Sequence, residues 1–492
     1  MAESPEAATA PLAASPPPPS LWTKLAYGFG AGVTGVKDNG FAYFLLLFYS
    51  QVVGLDARLV GLALTIALMM DAIIDPMVGY WSDNFRSRWG RRHPFMYFAA
   101  VPLSSIYFLL WSPPVGWSDM ATFWYLLVLA VVIRMCVSIY EIPSTALAPE
   151  LSEDYDQRST LLSFRGFFGW TVGNGMSVLM FVILFPLFVT ADIKNGQFNR
   201  EAYQVYGIVG SIVMLVGILG SALGTHSRIP YLRAPPPQRQ LSLPKIFGEI
   251  FETLSNRSFL SRFAAAAFGS VAAGLSAALS FYFFNYFWQF SSAQSGIVTM
   301  GVFGSAIIGA VLAPIVSRTI GKKKGAIIIG LIAFLGSPMP IVLRLLGILP
   351  DNGDPFVFWF VFTATLIDVG LIICFQILSA SMMADLVEQA EIKTGRRSEG
   401  VFFAAVAFIR QMVNGLGLIT ATFVLTVAGV KAGADPSQVS AETVWRMGAF
   451  YVPTILTLWM IMIAIMGGYK ISREGHAENL RTLARTRAAA AE

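Results

Sequence analysis

The sequence is poor in charge. Only 13% of its 492 residues are Asp, Glu, Lys or Arg, against 55% that are hydrophobic, and its mean hydropathy is positive. Such a composition excludes a soluble protein of this length and points to a polytopic membrane protein. Cysteine is nearly absent. Cys136 and Cys374 both lie in apolar runs, so they imply no disulfide framework and say nothing of redox compartment. Histidine is as scarce. His93, His226 and His476 fall in expected loops or the C-terminal tail, and no metal spacing or Ser/His pairing occurs inside an apolar run, so an enzyme is not expected. The net charge of +5 is dispersed among loops, which excludes a nucleic-acid footprint. The first twenty residues are rich in Pro and Ala and lack a basic n-region; they read as a disordered tail and not as a signal peptide.

What is present is a succession of apolar segments near the ~20 residues needed to cross a bilayer. Twelve can be drawn, at about 25–50, 58–81, 94–112, 121–148, 160–190, 203–224, 259–288, 293–317, 325–347, 355–385, 399–429 and 444–469, numbered here spans 1 to 12. Lys and Arg set the orientation: about 24 of them lie in the tails and even-numbered loops and about six in the opposite loops, so both termini are expected in the cytoplasm of a cell (inner or plasma) membrane protein. The longest connection, 225–258, contains Pro235-Pro236-Pro237 and divides the spans six and six. The expected organisation is a tail 1–24, a six-helix bundle 25–224, the middle loop 225–258, a second bundle 259–470 and a tail 471–492. A weak repeat supports it. Arg86, Arg88, Gly90, Arg91 and Arg92 follow span 2, and Arg318, Gly321, Lys322, Lys323 and Lys324 follow span 8. Two parallel repeats with a site between them at mid-membrane is a transporter arrangement.

The few charges inside spans carry the functional reading. One charge at mid-bilayer costs roughly 2.5–3.5 kcal/mol, so each must face protein, water or a bound cation. Asp71 and Asp75 are four apart and share a helix face. Two carboxylates in low dielectric bind a cation or share a proton, unless they are a structural pair bridged to Lys or Arg of another helix. Pro76 frees the carbonyl of Ala72 beside them. Lys37 and Asp38 lie deep in span 1, either as a substrate or cation contact with its counter-charge, or as a local ion pair. In span 4, Ser138, Glu141 and Thr145 form an oxygen-rich face near Pro143, suited to a hard cation or a polyol. Arg134 lies one turn earlier, where it reads as a structural partner. Arg165 in span 5 clamps a substrate oxygen or makes an edge salt bridge to Asp83 or Glu150. Asp368 is alone in span 10, and Arg410-Gln411 occupy the middle of span 11.

These residues carry a family resemblance over nearly the whole chain. The sequence resembles the major facilitator superfamily, and within it the glycoside–pentoside–hexuronide:cation symporters, of which melibiose permease is the familiar member. The marks are Tyr27-Gly28-Phe29-Gly30 leading to Lys37-Asp38; Asp71-Ala72-Ile73-Ile74-Asp75-Pro76 with Gly79; Arg88-Trp89-Gly90-Arg91-Arg92; and Ile142-Pro143-Ser144-Thr145 through Pro149-Glu150-Leu151 with Asp154, Tyr155 and Arg158.

The resemblance implies an all-α membrane fold of two pseudo-symmetric six-helix bundles, expected to act as a monomer in the lipid bilayer. It implies cation binding at Asp71, Asp75 and Ser138, with Asp38 shared between cation and substrate. Lys37, Glu141, Thr145, Arg165, Arg410 and Gln411 are the implied substrate contacts. Asp83, Arg86, Arg88, Arg91 and Arg92 are the implied gate. No cofactor is implied beyond a coupling H+ or Na+, and no metal beyond a Na+ at Asp71 and Asp75.

Three positions depart from melibiose permease. Ile74 replaces an Asn that supplies a cation oxygen, Thr145 replaces a Trp that stacks on sugar, and Gln411 stands where a Lys is usual. The first argues for protons over sodium. The second keeps open an amphiphilic substrate, as in the related lysophospholipid symporters. The expectation is cation-coupled symport of a glycoside or sugar-like solute by alternating access. A lysophospholipid or other amphiphile symporter and an uncoupled facilitator are the alternatives.

Overall fold

The computed structural model describes residues 18–152, 154–232, 257–394 and 399–467, with the side chains of 257–263 and 383–412 among those outside the description. Ten helices in the described residues are long and apolar enough to cross a membrane. Two further passages complete twelve: span 11, within Glu399–Ala428, and span 1, which is broken into Leu21–Phe29, Gly32–Asn39 and a run of wider turns through Val53. No strand occurs among the described residues. The expected middle loop 225–258 and both tails lie largely outside them.

Polar caps define where several spans begin. Asp56, Ser118, Asp154 and Asn199 each accept a backbone N–H from the first turn of spans 2, 4, 5 and 6. Ser291 and Gln294 form a reciprocal capping box at span 8, satisfying donors that a helix start leaves unpaired. Prolines 76, 143 and 314 sit inside continuous helices. His93, expected in a loop, is the first residue of span 3 (His93–Leu110), buried with its Nε2 3.0 Å from the Thr225 hydroxyl.

The helix pairings repeat with an offset of six. Spans 2 and 4 pack together, as do 8 and 10; 1 and 5 match 7 and 11; 3 and 6 match 9 and 12; 3 and 4 match 9 and 10. The halves meet through the equivalent pairs 2–11 and 8–5, with span 7 on span 1. Spans 1 and 5 cross backbone on backbone. A Cβ at Gly35 would stand 1.9 Å from the Gly169 carbonyl oxygen, and one at Gly173 would stand 2.6 Å from that of Gly35. Without a hydrophobic force between helices in lipid, small residues at four-residue spacing are what allow this approach.

Two faces can be told apart: a proximal face, where span 1 begins, and a distal face opposite. The bonds that join the halves cluster distally. Asn285 donates to Gln197 Oε1 at 2.8 Å and accepts from Asn195 at 3.0 Å; Tyr286 donates to Gln51 at 2.9 Å; Gly433 N donates to the Ser50 carbonyl at 3.0 Å. Beneath them Phe44, Phe181 and Phe281 pack with ring centroids 4.7–5.9 Å apart.

Candidate transport site

Spans 2 and 4 run in the same direction with matched register. Asp71 lies opposite Arg134, Asp75 opposite Ser138, and Gly79 opposite Ile142, so each rung is four residues further on both helices. The Arg134 guanidinium donates to Asp71 Oδ2, and both side chains are 7% exposed. The ring of Phe41 lies 5.1 Å from Arg134 Cζ. One turn on, Ser138 donates to Asp75 Oδ1 at 2.5 Å. The shared face expected for the two acids is present, but their surroundings differ. Asp71 is closed in by a cation of the protein, and Asp75 is half-buried beside a hydroxyl.

The next turn of span 4 carries a second polar group. Glu141 accepts from Arg165 at 2.6 Å, from Thr34 at 2.8 Å and from Thr145 at 3.1 Å. Arg165 also donates to Ser144 at 2.8 Å and Thr145 at 2.9 Å, and lies 5.1 Å from the centroid of Tyr27. Tyr27 in turn donates to the Ser144 carbonyl at 2.9 Å. Arg165 thus pairs with Glu141 and not with Asp83 or Glu150. Three helices converge here through a guanidinium fork that donates three hydrogen bonds, the geometry that gives Arg its directionality. Glu141 stays 29% exposed and Thr145 is exposed, so a solute can reach them. Asp38 follows Thr34 by one turn and so shares its face. Its carboxylate is 59% exposed and 2.6 Å from the buried Lys37 amine.

The gate residues divide. Arg91 and Arg92 reach Glu150 at 2.5 and 3.3 Å, and Arg92 reaches Asp83 at 2.8 Å and Ser82 at 3.3 Å. Arg86 and Arg88 are exposed and outside this cluster. Asp368 is in span 10 beside Gly336 of span 9, and is not brought to the first-half residues. Arg410 and Gln411 fall on the span 11 helix, but their side chains lie outside the described residues.

Thr34, Ser144 and Tyr27 were not among the sequence candidates. Thr34 was findable, since it precedes Asp38 by one helical turn. Ser144 was findable too, three residues after Glu141, whereas Tyr27 carried no such spacing and stood only within a motif of the resemblance.

Comparisons with known proteins agree with this architecture. A family model described as MFS/sugar transport protein matches residues 26–473. An uncharacterized symporter of Synechocystis sp. is 25% identical, over 93% of this chain and 95% of its own. An isoprimeverose transporter of Lactiplantibacillus pentosus is 23% identical, over 84% and 81%. Among solved structures, a nucleoside transporter superposes with a TM-score of 0.60 at 13% identity, covering 90% of this chain and 99% of its own.

Proposed function

This chain belongs to the MFS/sugar transport family of multi-pass membrane transporters, which act on small molecules and are not enzymes, and from that premise we propose that it is a cation-coupled symporter of a glycoside or sugar-like solute. The observation that carries the reading is the meeting of two polar groups on consecutive turns of span 4. Asp75 with Ser138 is the cation end; Glu141, Thr145 and Arg165, with Asp38 one turn beyond Thr34 and Lys37 paired to it, form the solute end. Carboxylates and a guanidinium fork are suited to bind sugar hydroxyls by charge-assisted hydrogen bonds. Neutralising the cation end lowers the cost of bringing the two halves together, so the loaded carrier reorients and the half-loaded one does not.

In this reading the proximal face is cytoplasmic, both termini lie there, and the distal seal belongs to an inward-facing state. The family resemblance adds Arg410 and Gln411 of span 11 to the proposed solute contacts. A second reading, an amphiphile carrier, is favoured by Thr145, an exposed hydroxyl where a sugar-stacking aromatic would be expected. A binding screen of glycosides against lysophospholipids separates the two. The coupled reading is tested in vesicles with Asp75→Asn. Uptake should lose its dependence on an imposed cation gradient; uptake that keeps the full dependence removes the site from this account.

A further inference from the structure

Asp71 occupies the position where a coupling cation is expected, yet a positive charge is already there. Arg134 reaches it from span 4 with Nη1 on Asp71 Oδ2, and both side chains are almost wholly enclosed. The face of Phe41 backs the guanidinium, so it is held from two sides. Arginine stays protonated at any physiological pH, so this filling is permanent where a lysine's would not be.

We propose that Arg134 is a resident cation that determines ion specificity: it takes the place sodium would need at Asp71 and so excludes sodium as the driving ion. The inference rests on the coupled-symport reading above and narrows its ion. Sodium, a hard cation, requires several oxygens around it. Between the two acids Ile74 offers only a hydrocarbon chain. Ser138 turns its hydrogen toward Asp75 Oδ1. The second oxygen of Asp71, Oδ1, is buried without a hydrogen-bond partner among the described residues, but it belongs to the carboxylate that holds the guanidinium. A sodium ion placed there would share that carboxylate with a full positive charge at close range in low dielectric. A proton needs no coordination shell and meets no such objection.

The test measures sodium binding to the purified full-length protein by thermal unfolding, with sodium chloride as the probe and choline chloride as the ionic-strength control. The wild type should show no sodium-specific rise in Tm. Arg134→Gln should acquire one that saturates with sodium, because a ligand that binds only the folded state stabilises it. A purely structural salt bridge predicts a lower Tm in the variant with no sodium-specific response, and that result overturns the proposal. A sodium-specific rise in the wild type overturns it as well, and needs no variant to fold. The coupled reading fails by a different readout. In proteoliposomes with labelled isoprimeverose, uptake indifferent to both imposed pH and sodium gradients removes coupling. Uptake driven by a sodium gradient keeps coupling and overturns the role given to Arg134. Uptake driven by a pH gradient alone supports both.

Discussion

The distal and proximal faces are held by different chemistry. Distally, the described bonds between the two halves are neutral: amides, hydroxyls and backbone groups of Gln51, Asn195, Gln197, Asn285 and Tyr286, over a layer of phenyl rings. Proximally, the described ion pairs stay within the first half, where Arg91, Arg92, Asp83 and Glu150 tie together spans 2, 3 and 4. A neutral hydrogen bond contributes only about 1 kcal/mol net, since water replaces it on opening. A buried charge stripped of its partner costs several times more. In the alternating-access cycle proposed above, weak neutral bonds are suited to a seam that parts, and strong charged ones to a joint that moves as a unit.

That contrast can be broken at its strong end first. Glu150→Ala leaves Arg91 and Arg92 enclosed without their shared acceptor, and should cost about 3–5 kcal/mol, read as a large drop in Tm or failure to recover folded protein. An unchanged Tm would mean that the cluster is not a structural joint. Next comes the centre. Arg165→Lys keeps the charge but cannot reproduce the fork onto Glu141, Ser144 and Thr145. Binding of the best solute from the glycoside screen should fall at least tenfold while Tm changes little; equal affinity removes Arg165 from the solute site. The distal seam should respond less in stability and more in shape. Asn285→Ala removes bonds to Gln197 and Asn195, worth about 1–3 kcal/mol together. It should shift the population toward a distally open state, read by distance measurements between spin labels across the two halves; an unmoved distribution would show that the phenyl layer alone holds the seam.

The smallest effect is expected at Asp56. Arg58 beside it holds its carboxyl below the ordinary carboxylate range. A carboxylate lowered in the folded state contributes stability that is complete above that range and lost as pH falls through the lowered value. The pair is exposed, so Asp56→Asn, which keeps the helix cap, should leave the acid limb of the Tm–pH curve nearly unchanged. A marked change would mean that the distal surface is less solvated than its exposure suggests.

Much of the site was legible within single helices. Asp71 and Asp75 share a face by spacing alone, as do Ser138, Glu141 and Thr145, and Thr34 could have been added to Asp38 by the same rule. What spacing does not contain is the register between helices. Nothing in the sequence places Arg134 against Asp71, or Arg165 against Glu141 in preference to Asp83 or Glu150. Those partnerships depend on how far one span slides along its neighbour. The side chains packed between them set that sliding, and at Gly35, Gly169 and Gly173 so does the absence of side chains.

The sequence by itself determined the solvent and the architecture. A chain this apolar must cross a bilayer, each crossing must close its own backbone hydrogen bonds, and twelve such helices with a repeated basic loop fall into two similar bodies. Only the tertiary structure decided which charges neutralise one another. In low dielectric, a shift of one helical turn exchanges one partner of a carboxylate for another of different charge. That exchange separates an acid closed by the protein's own arginine from an acid left beside a hydroxyl.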